Sequence, residues 1–472
     1  MIDKLRDHCG VVGVFGHPEA ATIAYLALHA LQHRGQESAG VAATDGVQPM
    51  RRHRGMGLVA DVFSPEALDG LSGDRAIGHV RYSTAGSSVI ENAQPLMIRE
   101  HGGPLAVAHN GNLVNADALR VELESTGAVF SSSSDTEVVL HLIAREGAAA
   151  LEHRIARALE RVQGAYSLTF LTSDRLVAAR DPYGFRPLVL GQLKSGGYIV
   201  ASESCAFPLV EATFVREIEP GEVVVIDATG IRSARLPAVA QGGRCVFELI
   251  YFSRPDSTVF GRDVYATRQA LGRELARAQP CDVDVVIPVP DSGSPGAMGF
   301  ARGLGVPYEM GLIRSHYVGR TFIEPSQSIR HFGVKLKLSV VPNVVRGRRV
   351  AVVDDSLVRG TTSRKIVKML RDAGATEVHL RITAPPSRFP CYYGIDTPNR
   401  NELLAATHGL DEIARYVTAD SVGYLTEPQL YAALQGDRHS FCDACFTGDY
   451  KVPFPGSEAL VKLGAGNAAD QR

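Results

Sequence analysis

The chain has 472 residues, too many for one ordinary domain, so two or three compact units with their own cores are expected. Apolar residues make up 45% and charged residues 21%, a globular balance, and no stretch approaches the ~18 uninterrupted apolar residues of a membrane span; no membrane partner is expected. Lys and Arg (49) nearly balance Asp and Glu (51), with both signs scattered, so no basic stripe is offered to a nucleic acid. The opening MIDKLRDH lacks the apolar centre of an export signal. Seven unevenly spaced cysteines are too few for a disulfide scaffold, and the expected location is the cytoplasm.

From residue 11 to about 231 the pattern is many short strands interrupted by a few helices. VVGVF (11–15), AVAH (106–109), YSLTFLT (166–172), LVAAR (176–180), YIVAS (198–202) and EVVVID (222–227) read as strands flanked by Gly, Pro or Asp. Helical periodicity covers 21–32, 116–124 and 136–146. That order predicts α+β layers, ending in the aperiodic, Pro- and Gly-bearing LPAVAQGGR (236–244), where a domain boundary is placed near 240. Beyond Arg262 the pattern switches to helices alternating with continuously apolar strands (VDVVIPVP, RRVAVVDD, EVHLRITA), which predicts a doubly wound α/β unit with a parallel sheet covered on both faces. This second domain is taken as 241–400, followed by a helical segment, 401–455, and a mobile tail, 456–472.

The stretch VAVVDDSLVRGTT (350–362) carries the strongest local signal. A buried strand delivers Asp354 and Asp355 to the C-terminal edge of a parallel sheet, where such sheets bind ligands. The turn that follows, with Arg359, Gly360, Thr361 and Thr362, opens a helix whose first amides face any anion there. The plain alternative is a capped helix, with Asp355 or Thr361 as the cap. The stretch resembles the diphosphate-sugar signature of the type I phosphoribosyltransferases, which implies that the acids hold ribose hydroxyls, the Thr-rich turn holds a 5-phosphate, and the substrate is phosphoribosyl pyrophosphate. By the same resemblance VPDSGS (289–294) is a pyrophosphate loop, with Asp291 and Ser292 on substrate and Ser292, Asp354 and Asp355 near Mg²⁺. The long polar segment 314–338, with Arg314, Arg320, Arg330, Lys335 and Lys337, is expected to be a lid over the pyrophosphate; the alternative is a solvated linker.

In the first domain, Cys9 opens the first buried strand, where a Cys is by default a small core residue. Downstream lie LQHRGQESAG (31–40), GHVRYSTAG (78–86), HNGNL (109–113) and SSSDTE (132–137). The ordered set resembles the N-terminal-nucleophile glutamine amidotransferases, which implies a four-layer αββα sandwich over 9–240. It also implies that Cys9 is the nucleophile, that Asn110 and the Gly111 amide form the oxyanion hole, and that Arg81 and Asp135 hold the α-carboxylate and α-ammonium of glutamine. Read singly, Arg81 could equally be an ion-pair residue and Asn110 a turn residue. A thiol needs a base, and in this class that base is the nucleophile's own α-amine, so residues 1–8 are expected to be a propeptide removed between His8 and Cys9.

Cys442 and Cys445 form C-x-x-C, a spacing that presents two thiolates to one metal or cluster. Sequence alone does not separate zinc from iron–sulfur here. Joined in one chain, these features resemble, from Cys9 to Tyr450, the propeptide-processed glutamine phosphoribosylpyrophosphate amidotransferases. The resemblance implies Cys245 and Cys391 as the remaining ligands of a four-iron, four-sulfur cluster, leaving Cys205 and Cys281 as core thiols. It further implies glutamine hydrolysis coupled to synthesis of 5-phosphoribosylamine, the committing step of purine synthesis, a homotetramer, and purine nucleotides as feedback inhibitors at the phosphoribosyl site.

Overall fold

The computed structural model describes residues 9–82, 87–147, 149–315 and 337–454. The expected propeptide 1–8, the tail 456–472, most of the 314–338 segment and residues 83–86 of GHVRYSTAG lie outside these.

Among the described residues the first unit contains thirteen strands: β1 (Gly10–Phe15), β2 (Ser38–Thr44), β3 (Arg51–Met56), β4 (Arg75–Arg81), β5 (Leu96–Glu100), β6 (Gly103–Leu113), β7 (Gly164–Leu171), β8 (Arg175–Arg180), β9 (Val189–Leu193), β10 (Tyr198–Ala201), β11 (Ala212–Glu217), β12 (Glu222–Asp227) and β13 (Gly230–Arg235). They form two antiparallel sheets, ordered β11-β9-β10-β1-β4-β2-β3 and β13-β12-β8-β7-β6-β5. Strand side chains alternate faces, and both faces here are apolar. Val11 and Ile77 of one sheet meet Ala106, Ala108, Leu176 and Val224 of the other in a shared inner core. The intervening Val12 and Val14 turn outward onto helix Ala20–Ala30. On the opposite side Leu105 and Val107 pack against helices Ala116–Ser125, Thr136–Arg145 and Leu151–Arg161. The result is the four-layer αββα sandwich, held mainly by side-chain burial worth about 1.5–3 kcal/mol for each large aliphatic group.

Residues 236–243 are irregular, and the second unit follows. Its central sheet is parallel, with Val285–Pro288, Arg349–Asp354, Glu377–Ile382 and Ser421–Tyr424 in spatial order. Every residue from Val350 to Asp354 is buried, which requires cover on both faces. Helices Val264–Ala278 and Ser294–Leu304 pack together, and Thr361–Asp372 packs on Leu410–Val417. Segment 401–455 differs from the separate helical piece expected: it supplies the fourth strand of this sheet, and Leu430 and Phe446 belong to the same core. Its strand is only four residues long and only half-buried at Ser421 and Val422, too short to show a period in sequence. A two-residue parallel ladder pairs Arg244–Cys245 with Phe441–Cys442, tying the start of the second unit to its end.

Candidate functional site

Cys9 stands immediately before β1, 7% exposed. Its Sγ donates to the Tyr82 carbonyl at 3.5 Å, just beyond β4, the neighbouring strand. Burial pushes the thiol up to about 11, with Arg81 acting against the rise and Asp135 and Glu37 adding to it. These four side chains therefore share one electrostatic neighbourhood. A thiol so placed is inert until something takes its proton. Among the described residues no imidazole bonds it, and burial drives the nearby His79 down to about 3, leaving that ring neutral.

Arg81 closes β4 with its guanidinium buried; Nη1 donates to Glu37 Oε1 at 2.5 Å and to the Ser87 carbonyl at 3.3 Å. The ion-pair character weighed for Arg81 is thus present, and its partner comes from the LQHRGQESAG stretch. Asp135 precedes helix Thr136–Arg145, and its Oδ2 accepts from the Leu113 amide at 2.9 Å. Burial acts to raise Asp135, but His109, with Nδ1 at 3.7 Å, and the amides of Leu113 and Thr136 bring it below its ordinary value. Between His109 and Leu113, on β6 facing β1 and β4, lies Asn110. It is fully buried, and neither Oδ1 nor Nδ2 has a hydrogen-bond partner among the described residues. A buried amide orphaned at both ends is costly and points to a ligand. Gly111 follows at φ +148°, a conformation that L side chains rarely adopt.

At the other site, Val285–Pro288 and Arg349–Asp354 run parallel with Pro288 opposite Val353, so the loops after them emerge at one sheet edge. Asp354 and Asp355 are 2% and 1% exposed; the Asp355 amide donates to Asp354 Oδ1 at 2.9 Å, and Ser356 Oγ to Asp355 Oδ1 at 2.6 Å. The capped-helix alternative does not hold: Gly360 occupies the cap position of Thr361–Asp372 and no side chain bonds there. The other loop carries Asp291 and Ser292 into helix Ser294–Leu304. Arg359 pairs with Glu402 at 2.7 Å and Asp291 with Arg314 at 2.7 Å, all largely exposed, where such pairs exchange readily for a ligand. Thr362 is buried and Thr361 exposed.

Cys245, Cys391, Cys442 and Cys445 converge on one small pocket, lined also by Phe185, Arg186, Tyr393, Ile395, Ala444 and Tyr450. Burial, followed by the neighbouring thiols, pushes Cys442 and Cys445 far up, so these two thiols stay protonated unless a further cation joins Arg186 here. Among the described residues no three of these sulfurs lie within 4.8 Å of one another. A single tetrahedral zinc, with Zn–S of about 2.3 Å, would draw them to about 3.8 Å apart. Cys205 is buried and Cys281 half-buried, away from this cavity.

Sequence reasoning missed Glu37, His109 and the buried Arg34, which donates to the Cys9 carbonyl at 3.2 Å and to Glu248 at 2.8 and 3.0 Å. It also missed Arg268, fixed by the Leu249 and Ser253 carbonyls; burial lowers it to about 10 while Asp355 opposes that fall. Glu37, Arg34 and His109 lie inside the quoted motifs, which was the available signal.

Residues 79–208 match the model of a glutamine amidotransferase domain and residues 272–387 that of a phosphoribosyl transferase domain. Amidophosphoribosyltransferase 1, chloroplastic, of Arabidopsis thaliana is 54% identical over 99% of this chain and 82% of its own length. The solved glutamine phosphoribosylpyrophosphate amidotransferase of Bacillus subtilis, complexed with ADP and GMP, is 48% identical with a TM-score of 0.89, over 94% of this chain and 98% of its own. A structure described as the allosteric regulatory enzyme of purine biosynthesis gives a TM-score of 0.91 at 48% identity, over 97% and 99%.

Proposed function

The chain belongs to the amidophosphoribosyltransferase family, and from that footing we propose how its own residues divide the work. The reaction hydrolyses glutamine and transfers the ammonia to phosphoribosyl pyrophosphate, giving 5-phosphoribosylamine, glutamate and pyrophosphate in the first committed step of purine synthesis. The proposed mature chain begins at Cys9, whose free α-amine, with a reference pKa of about 7.7–8.0, takes the thiol proton. Sγ then bonds to the amide carbon while the electron pair moves onto oxygen, which Asn110 Nδ2 and the Gly111 N–H receive. Collapse breaks the C–N bond, the α-ammonium returns its proton to the leaving ammonia, and water cleaves the thioester to glutamate. Arg81 binds the substrate's α-carboxylate and Asp135 its α-ammonium. The single observation that carries this reading is the Asn110 amide, buried and orphaned at both ends on β6, the strand that faces β1 and β4 from the other sheet.

At the second site Asp354 and Asp355 hold the ribose hydroxyls, and Arg359, Gly360, Thr361 and Thr362 hold the 5-phosphate. Ammonia attacks C1 as the C1–O bond to pyrophosphate breaks. Asp291 and Ser292 line the leaving group. Mg²⁺, bound by oxygens of Ser292, Asp354 and Asp355, would neutralise charge building on pyrophosphate. Free ammonia is mostly protonated at neutral pH, a reason for carrying both sites in one molecule.

Cys245, Cys391, Cys442 and Cys445 would hold a four-iron, four-sulfur cluster that crosslinks segments and takes no part in the reaction. The separation of the sulfurs supports it over zinc, and the cation of Arg186 beside them suits an anionic four-thiolate site. The relative solved with ADP and GMP supports purine nucleotides as feedback inhibitors, because they share the ribose 5-phosphate unit. No described helix is long and apolar enough to cross a membrane; a cytoplasmic homotetramer is proposed. Cys9→Ala tests the division of labour: glutamine-dependent synthesis is expected to vanish while ammonia-dependent synthesis persists. N-terminal sequencing of active enzyme that found Met1 would exclude the amine mechanism.

A further inference from the structure

Gly111 is held from two sides. A Cβ built on it would lie 2.0 Å from the Ala165 carbonyl oxygen, so β6 is flush against β7 at this point. From the other unit comes Gly394, at φ +99°: a Cβ there would lie 2.9 Å from the Gly111 carbonyl carbon and 3.1 Å from its oxygen. The next residue of β6, Asn112, donates from Nδ2 to the Tyr392 carbonyl at 2.9 Å. Two consecutive residues after Asn110 therefore rest on residues 392–394.

That segment is itself fixed. The Tyr393 ring lies 4.4 Å from the Phe185 ring, centroid to centroid, and its hydroxyl exchanges bonds of 2.8 and 2.9 Å with the Val452 amide and carbonyl. Its carbonyl accepts from Arg186 Nη2 at 2.7 Å, and Arg186 Nη1 pairs with Glu248 at 3.2 Å. Glu248 in turn binds Arg34, whose Nε reaches the Cys9 carbonyl at 3.2 Å. One buried frame thus meets the backbone of both Cys9 and Gly111, the two groups that the tetrahedral intermediate joins.

We propose that residues 392–394 of the second unit, with Gly394 at the contact, are a positioning element that sets the Gly111 amide for glutamine hydrolysis. The proposal rests on the reading of Asn110 and Gly111 as the oxyanion site. An oxyanion donor acts only within about 2.7–3.1 Å of the developing charge, so a small push on Gly111 costs turnover and leaves substrate binding intact. The ammonia-fed reaction does not use this amide.

The test compares Gly394→Ala with Asn110→Ala in the full-length enzyme, measuring kcat and KM for glutamine and the ammonia-dependent rate. Removing a whole oxyanion donor costs roughly 10²–10³ in kcat, and displacing one should cost about tenfold or more. Gly394→Ala is expected to lower kcat with KM for glutamine unchanged, to keep the ammonia-dependent rate, and to weaken inhibition by glutamate γ-semialdehyde, which forms an oxyanion-like adduct on Cys9, more than inhibition by glutamate. If Asn110→Ala collapses kcat and Gly394→Ala leaves it normal, the positioning role is wrong while the oxyanion reading stands. Normal turnover by Asn110→Ala overturns the oxyanion reading itself. Loss of the ammonia-dependent rate in folded Gly394→Ala would mark a merely structural glycine and overturn the proposal. Should Gly394→Ala not fold, Asn112→Leu decides: a fall in kcat at constant KM supports the proposal, and wild-type kinetics reject it.

Discussion

The two sites of this chain are built in opposite ways. The phosphoribosyl side comes from two strand-to-helix loops on adjacent parallel strands, with its two acids consecutive in sequence and three of its charged residues, Asp291, Arg314 and Arg359, exposed. The proposed glutamine side, buried at Cys9, Arg81 and Asn110 and partly buried at Gly111 and Asp135, is assembled from four distant stretches: Cys9 before β1, Arg81 at the end of β4, Asn110 and Gly111 on β6, and Asp135 before a helix. An exposed sheet edge suits a large, charged, exchanging substrate, whereas an enclosed pocket suits a reaction that must not spill its product. The difference predicts that damage to the phosphoribosyl site stops everything, while damage to the glutamine site stops only the glutamine-fed route.

The largest effect should therefore come from Asp354→Asn combined with Asp355→Asn. Each lost charge-assisted hydrogen bond should cost about 1.5–3 kcal/mol, so both ammonia- and glutamine-dependent synthesis should fall by orders of magnitude. Near-normal synthesis by the double variant would remove the phosphoribosyl assignment. Next comes Arg81→Lys, which keeps the charge and loses the planar fork that matches a carboxylate. KM for glutamine should rise about tenfold or more with kcat little changed, the pattern of lost uniform binding. The ammonia-dependent rate should not move, and an unchanged KM would return Arg81 to its pairing with Glu37 alone.

The same contrast sets what sequence could reveal. Asp354 and Asp355 sit in one strand–turn–helix, so thirteen residues carried both their placement and their chemistry. Cys9 and Asn110 belong to facing sheets and Asp135 to the turn into a helix, an arrangement that no local period encodes; their roles came from resemblance. The αββα order was visible only in part, because β3 and β13 carry mostly half-buried or exposed residues and show no apolar alternation. The joints were invisible: Arg34 finds Glu203 and Glu248 at separations of 169 and 214 residues, and Gly394 finds Gly111 across the unit boundary.

A smaller effect concerns the cysteine cavity, which adjoins the glutamine side through Arg186 and Tyr393. Cys442→Ser should give protein lacking the broad visible absorption of an iron–sulfur cluster, with a lowered unfolding temperature, because the proposed cluster would close long loops. Iron and sulfide should be absent from the variant and present in anaerobically prepared wild type. Stoichiometric zinc without iron in the wild type would reject the cluster and leave the catalytic assignments standing.

The smallest effect at neutral pH belongs to the ion network between the two sites. Glu203 and Glu248 are fully buried; burial acts to raise both, and it is outweighed at Glu203 by His33 and Arg34 and at Glu248 by Arg34 and then Arg186, so both lie below their ordinary value. A carboxylate depressed in the folded state contributes stability above its unfolded pKa, about 4.3 for Glu, and loses it as pH falls through the lower folded value. The unfolding temperature should accordingly be flat from pH 7 to about 5 and drop below about 4.3. Glu248→Gln should start lower at pH 7, because Arg34 and Arg186 lose a buried partner, and should fall less steeply in acid. Equal acid slopes for the variant and wild type would show that the joint between the two sites does not depend on this charge.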